Sequence, residues 1–232
     1  MNKGVSESVA HNQRRSPWVE LKTYTFHPTI FKTMLGRSSR DAKTGDLVTV
    51  YDRKGQVFGS GLYNPTARVP LRVYRHGEAA FGEEDFLGLM RSAIALRRQT
   101  LGLDAVTGAY RAIHSDGDGL SGLIVDKLGD TLSVQVHSYG VYQRLPQWLP
   151  FLKRELAAQS ALVEVDEKIA ELEGIRVDAS LSDDLRFAKF EEHGKAKATD
   201  HHGSHDRRKH RRVKGKAGKA VGIGREAGIV ER

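Results

Sequence analysis

The sequence predicts an α+β protein in which a small β-barrel precedes a mixed segment of strands and helices. Three observations predict it. Apolar residues alternate with period two in short runs between 46 and 74, helical spacing takes over between 83 and 101, and short apolar strands return from 110 onward. Charge divides the 232-residue chain in nearly the same places. Residues 1–82 hold 13 lysines and arginines against 6 aspartates and glutamates, net +7; residues 83–193 hold 12 against 19, net −7. Residues 194–232 hold 12 against 4, net +8. A basic block beside an acidic one points to a polyanionic partner for the first, with an ordinary solvated surface as the alternative.

Residues 1–16 are polar and aperiodic and read as a flexible leader, with order beginning at Pro17-Trp18-Val19. In the run 46–52, Leu47 and Thr49 fall on one side of a strand and Val48 and Val50 on the other. Arg53-Lys54-Gly55 reads as a turn, and Gln56-Val57-Phe58-Gly59 as the returning strand. A further strand is expected over 68–74, where Pro70 favours an edge position. From 83 to 101, Leu87, Met90, Ile94 and Leu101 recur at helical spacing, widened by Phe86 and Ala93. Glu83, Glu84 and Asp85 suit the first turn, Arg97 and Arg98 the last, and Gly102 the stop. Strands are expected at 110–114, 123–127 and 132–137, joined by Asp116-Gly117-Asp118-Gly119 and Leu128-Gly129-Asp130. A helix over 145–159 starts with Pro146 and carries Pro150 in its first turn or at a kink. Weaker strands are expected at 161–165 and 185–191. The last 39 residues contain no Leu, Met, Phe, Tyr or Trp and are expected to be disordered.

No window approaches the ~18 consecutive apolar residues of a membrane span, and residues 1–16 lack the apolar stretch of a secretory signal. The expected address is cytoplasmic, with no membrane partner. The absence of cysteine excludes disulfides, thiolate zinc sites, iron–sulfur clusters and a cysteine nucleophile. Asp116-Gly117-Asp118-Gly119 spaces carboxylates as a calcium loop does, but the third ligand and the later glutamate are missing, which favours a turn. His114 and His137 have no carboxylate or thiol partner at useful spacing and read as structural. His201-His202-Gly203-Ser204-His205 could chelate a metal only adventitiously. No metal site is expected.

Three stretches carry a resemblance. They are Thr44-Gly45-Asp46 with the strand that follows; Gly59-Ser60-Gly61-Leu62-Tyr63-Asn64-Pro65 followed by Arg68-Val69-Pro70-Leu71-Arg72-Val73; and the run from Tyr110-Arg111-Ala112 through Asp116-Gly117-Asp118-Gly119-Leu120-Ser121-Gly122 to Asp126. Over residues 17–193 the chain resembles the bacterial class I SAM-dependent rRNA methyltransferases of the 23S rRNA (cytosine-C5) large-subunit methyltransferase I type. The resemblance implies a PUA-like RNA-binding domain at 17–77 and a central α+β domain at 78–193. It also implies S-adenosylmethionine for the full-length family and rRNA, 23S in this type, as partner.

The family's C-terminal Rossmann methyltransferase domain finds no match from Lys195 onward, so 194–232 reads as a disordered basic tail, truncated or out of frame. Methylation of cytosine at C5 needs a nucleophile at C6, which the family supplies as a thiolate; this chain has no cysteine. The expectation is a chain that binds RNA, without catalytic residues and without a bound cofactor. Gly222-Ile223-Gly224-Arg225-Glu226-Ala227-Gly228 is one residue too long for a dinucleotide loop and follows no strand. A stand-alone PUA-type module with a basic tail, in which Arg207-Arg208-Lys209-His210-Arg211-Arg212 meets phosphates, is the alternative. Arg37, Arg40, Lys43, Arg53 and Lys54 are the expected phosphate contacts, the last two on a hairpin turn from which long side chains project.

Overall fold

β-branched alternation in Leu47-Val48-Thr49-Val50-Tyr51 produces the strand β4 (Leu47–Tyr51), which buries Val48 and Val50 and leaves Leu47 and Thr49 half-buried. In the computed structural model, which describes residues 14–23, 25–183 and the strand backbones of 187–192 and 195–200, β4 pairs antiparallel with β5 (Val57–Tyr63) and β5 with β6 (Leu71–His76). β1 (Trp18–Leu21) lies parallel to β4 and antiparallel to β3 (Leu35–Ser38), while β2 (Thr29–Ile30) adds to the outside of β6. The resulting order is β2-β6-β5-β4-β1-β3. Ile30 of an edge strand shares one core with Val19, Leu21, Val50, Phe58 and Leu71, so the sheet curls on itself. Its hydrogen-bonded order has two ends, β2 and β3. Gly59 and Gly61 lie where β5 crosses β6 most closely: a Cβ on them would stand 2.1 Å from the Arg75 carbonyl oxygen and 2.5 Å from that of Arg72. Pro70 does not mark an edge. It precedes β6, an interior strand, and its carbonyl accepts from the Asn64 amide.

The second unit of the fold is a four-stranded sheet, β10-β9-β8-β7, packed on helices. β7 (Ala109–His114), β8 (Leu123–Leu128) and β9 (Thr131–Val136) form an antiparallel meander. β10 (Ser160–Glu164) then joins β9 in parallel, which requires a crossover. That crossover is α2 (Tyr139–Tyr142) and α3 (Leu145–Glu155), the second shorter than the expected 145–159. α1 (Glu83–Ala95) buries Phe86, Met90, Ala93 and Ile94, and with Leu145, Trp148 and Leu152 of α3 they cover Val125, Leu132 and Val134 of the sheet. α4 (Glu167–Glu173) is capped by Asp166, which accepts from the amides of Lys168 and Ile169, and it stops at Gly174 with φ +71°.

Three expectations are corrected. The α-helical spacing of 83–101 fails after Ala95, because Leu96–Thr100 widen into a π turn. The added residue per turn rotates Leu101 off the apolar face, and it is 58% exposed. The leader does not extend to residue 16: Arg14 packs on Trp18 and Tyr51, and Ser16 donates to Asp41. The disordered tail does not begin at 194, since β12 (Lys195–Asp200) pairs antiparallel with β11 (Phe187–Glu192). The rest of that tail lies outside the described residues, as do the His201–His205 run, the Arg207–Arg212 run, the Gly222–Gly228 loop and residues 1–13. No helix among the described residues is long and apolar enough to cross a membrane.

Candidate nucleic-acid interface

Arg53 and Lys54 project from the β4–β5 turn because Asp52 organises its backbone: the Asp52 carboxylate accepts from the amides of Lys54 (2.8 Å) and Gln56 (2.9 Å). Gly55 takes φ +80° there, which a residue with a Cβ rarely adopts. Arg53 reaches a shallow groove of about 700 Å³ whose walls also carry Arg37, from β3, and Lys22, just after β1. The parallel pairing of β1 with β4 places Lys22 and Arg53 together, since both follow the C-terminal ends of their strands. Arg40 and Lys43 do not join them. They lie in the β3–β4 connection, near the starts of β1 and β4, where the Lys43 amide donates to Asp46 and Ser16 to Asp41. The five expected phosphate contacts thus divide between two ends of one sheet. Lys22 escapes sequence reasoning because it is a lone lysine beside a strand.

The groove also contains a carboxylate, Glu20, whose charge is already balanced. Its Oε2 lies 2.9 Å from Arg14 Nη1 and 3.6 Å from Arg37 Nη2. Arg14 is held over the rings of Trp18 (4.5 Å) and Tyr51 (5.0 Å), with its side chain only 7% exposed. Gly36 gives Glu20 room, since a Cβ there would stand 3.1 Å from the carboxylate. With Arg14 committed to Glu20, the groove retains the positive charge of Lys22 and Arg53 and part of that of Arg37, a cradle for anions.

The residues of the distinctive sequence blocks turn inward instead. Arg72 of β6 donates to the Ser121 hydroxyl (3.1 Å) and the His137 carbonyl (3.0 Å), and the Tyr74 hydroxyl donates to the Ser121 carbonyl. Burial pushes the Tyr74 hydroxyl pKa well up, so it stays a donor. The Asn64 amide donates to the Glu173 backbone carbonyl (2.9 Å) and carboxylate (3.0 Å). Asp118 accepts from Arg97 (2.6 Å) and from the His114 amide (2.6 Å), which fixes the Asp-Gly-Asp-Gly turn against the π turn and β7. Among the described residues no group of three His, Cys, Asp or Glu side chains is placed to hold a metal.

Comparison with known proteins fits this division. Residues 19–76 match the PUA-like domain family. That span takes in the first sheet from Val19 in β1 to His76 at the end of β6. The chain is also similar to the ribosomal RNA large subunit methyltransferase of Deinococcus radiodurans, 29% identical over 147 residues, 62% of this chain and 34% of that protein. Ribosomal RNA large subunit methyltransferase I of Vibrio cholerae is 30% identical over 119 residues, 51% of this chain and 30% of its own length. The Photobacterium profundum protein of the same name is 27% identical over 173 residues, 72% and 43%. The chain thus spans between 30% and 43% of the length of these curated relatives. Two solved structures share the fold: a candidate methyltransferase complexed with SAH, with TM-score 0.53, 14% identity and coverage of 69% of this chain and 40% of that one, and a candidate SAM-dependent methyltransferase from Streptococcus mutans, with TM-score 0.56, 13% identity and coverage of 79% and 48%. The groove of Lys22, Arg37 and Arg53 belongs wholly to the PUA-like domain, whereas Arg72, Tyr74 and Asn64 tie that domain to the α+β sheet.

Proposed function

We propose that these residues are the RNA-binding portion of a ribosomal RNA methyltransferase-related protein, and that the PUA-like domain grips large-subunit (23S) rRNA through the groove of Lys22, Arg37 and Arg53. The observation that carries the reading is the coincidence of the PUA-like match with a cationic groove on the same sheet. Phosphate binding at such a groove releases counterions and is therefore salt-dependent. Methyl transfer to cytosine C5 is not assigned to these residues, because no cysteine among the 232 can add to C6. Neither of two surface depressions among the described residues fits SAM. An adenosyl group needs an apolar slot, and the two depressions are lined by charged, amide and threonine side chains, the second, of about 300 Å³, by Glu83, Gln143, Arg144 and Gln147.

The test is a fluorescence-anisotropy titration of the full chain with a structured fragment of large-subunit rRNA at several salt concentrations. Affinity should fall steeply with salt, and changing Arg53 and Lys54 together to Ala should weaken binding and lower the slope by about one counterion per lost contact. Calorimetry on the same sample should show no heat of SAM binding. Salt-independent binding, or a double variant that binds like the parent, would overturn the RNA reading; a stoichiometric SAM site would overturn the assignment of chemistry.

A further inference from the structure

Where β1 and β4 end and β5 begins, aromatic rings share the end of the sheet that carries the cations of the groove. Phe26, in the segment from β1 to β2, is 67% exposed despite its apolar ring. Its centroid lies 5.4 Å from that of His76, at 68°, and 6.0 Å from that of Phe58, at 31°. Phe58 and His76 meet edge to face at 5.0 Å, and Phe58 is buried in the PUA-like core. The exposed ring is therefore braced from below by a fixed pair. Phe31, 45% exposed, follows β2 and precedes Thr33 of the groove wall.

The sheet register explains why these groups share one end. Tyr51 of β4 pairs with Val57 of β5 across the turn that carries Arg53, and Gly59 of β5 pairs with His76 of β6. Lys22 lies four residues before Phe26 on the strand exit. Cations that follow a phosphate backbone beside exposed aromatic rings are the composition of a single-strand site. In a duplex the bases are already stacked on each other and present no face to a side chain.

We infer that this end of the PUA-like domain binds an unpaired stretch of RNA, with its phosphates along Lys22, Arg37 and Arg53 and one base stacked on Phe26. The inference rests on the RNA-binding reading above and adds the form of RNA that is recognised. Phe26 is the residue that confers it, since the cations alone would accept strand and duplex alike.

The experiment titrates the full chain against two labelled probes, a single-stranded oligoribonucleotide of about eight nucleotides and the blunt duplex of the same sequence. The strand should bind at least about tenfold more tightly. Phe26→Ala should weaken strand binding by about 5- to 150-fold and leave the duplex unchanged. Phe26→Leu, which keeps an apolar cover but no ring face, should behave like Phe26→Ala, and Phe26→Trp should restore binding. Circular dichroism spectra that match the parent separate loss of stacking from loss of fold. A duplex bound as tightly as the strand overturns the inference. So does a Phe26→Ala protein with parental strand affinity while Arg53→Ala weakens both probes, and that result leaves RNA binding itself standing. If neither probe nor the rRNA fragment binds, it is the RNA-binding reading that falls.

Discussion

Arg144 ties three separate segments with one side chain that is 10% exposed. Its Nε and Nη2 donate to Glu83 at the start of α1, and its Nη1 donates to the carbonyls of Gly45 (3.0 Å), ahead of β4, and Gly140 (2.7 Å) in α2. The guanidinium also lies 5.5 Å from the Phe86 ring centroid. The planar fork suits these divergent acceptors, whereas the single ammonium of a lysine cannot reach them together. Arg144→Ala leaves two carbonyls without this donor, although Gln143 still donates to that of Gly45, and should cost about 2–3 kcal/mol in urea unfolding. Glu83 is 52% exposed and can rehydrate, so Glu83→Gln, which keeps an acceptor, should cost only about 1 kcal/mol. Equal losses from the two variants would mean that the ion pair, and not the two carbonyls, carries the effect.

At the scale of elements, Asp104 joins the end of the first long helix to the second sheet. It accepts from Arg98 of the π turn (2.6 Å) and from the Tyr110 hydroxyl of β7 (2.8 Å), with Lys127 of β8 at 3.4 Å. Burial raises the Asp104 carboxyl, but the hydrogen bonds from Tyr110 and Arg98 outweigh it and hold the group below its ordinary value. A carboxyl depressed in this way stabilises fully above its unfolded pKa of about 3.9 and loses that contribution as pH falls through the folded value. The melting temperature should therefore drop below about pH 4, and less steeply for Asp104→Asn; curves of equal slope would show that Asp104 carries none of it. The same region shows where sequence patterns fail. A strand such as β4, with five residues and β-branched alternation, is legible because period two needs several repeats to register. β1, β2 and β3 have two to four residues and offer no such repeat. Leu101 carried the right residue type at the right spacing, yet the π turn moved it into solvent. The place of Arg53 and Lys54 on a hairpin turn was legible from its glycine. Phe26 was not, because one phenylalanine reads as core until its exposure is seen, and the pairing of Asn64 with Glu173 spans 109 residues that no local pattern connects.

At the scale of the molecule, the PUA-like sheet and the α+β sheet share part of one core. Leu62 of β5 belongs to the cluster around Phe86 and Trp148, with Leu47 and Tyr74 packed against it. Gly140 of α2 fits against Leu62 only for want of a side chain, since a Cβ there would stand 3.0 Å from it. Polar ties cross the same boundary from Gly45, Asn64, Arg72 and Tyr74. Separating the two sheets would expose Leu62 and strand the Arg144 and Arg72 donors, so neither should unfold while the other remains native. The chain supplies its own reporters, because its two tryptophans fall one on each side: Trp18 in β1 and Trp148 in α3, 5.3 Å from Phe86. Trp148→Phe leaves Trp18 to report on the PUA-like sheet, and Trp18→Phe leaves Trp148 to report on the α+β core. Within each single-tryptophan protein, the urea midpoint from fluorescence should coincide with that from far-ultraviolet circular dichroism, as one cooperative transition requires. A Trp18 signal that unfolds well before the dichroism would show that the shared core and polar ties are too weak to couple the sheets.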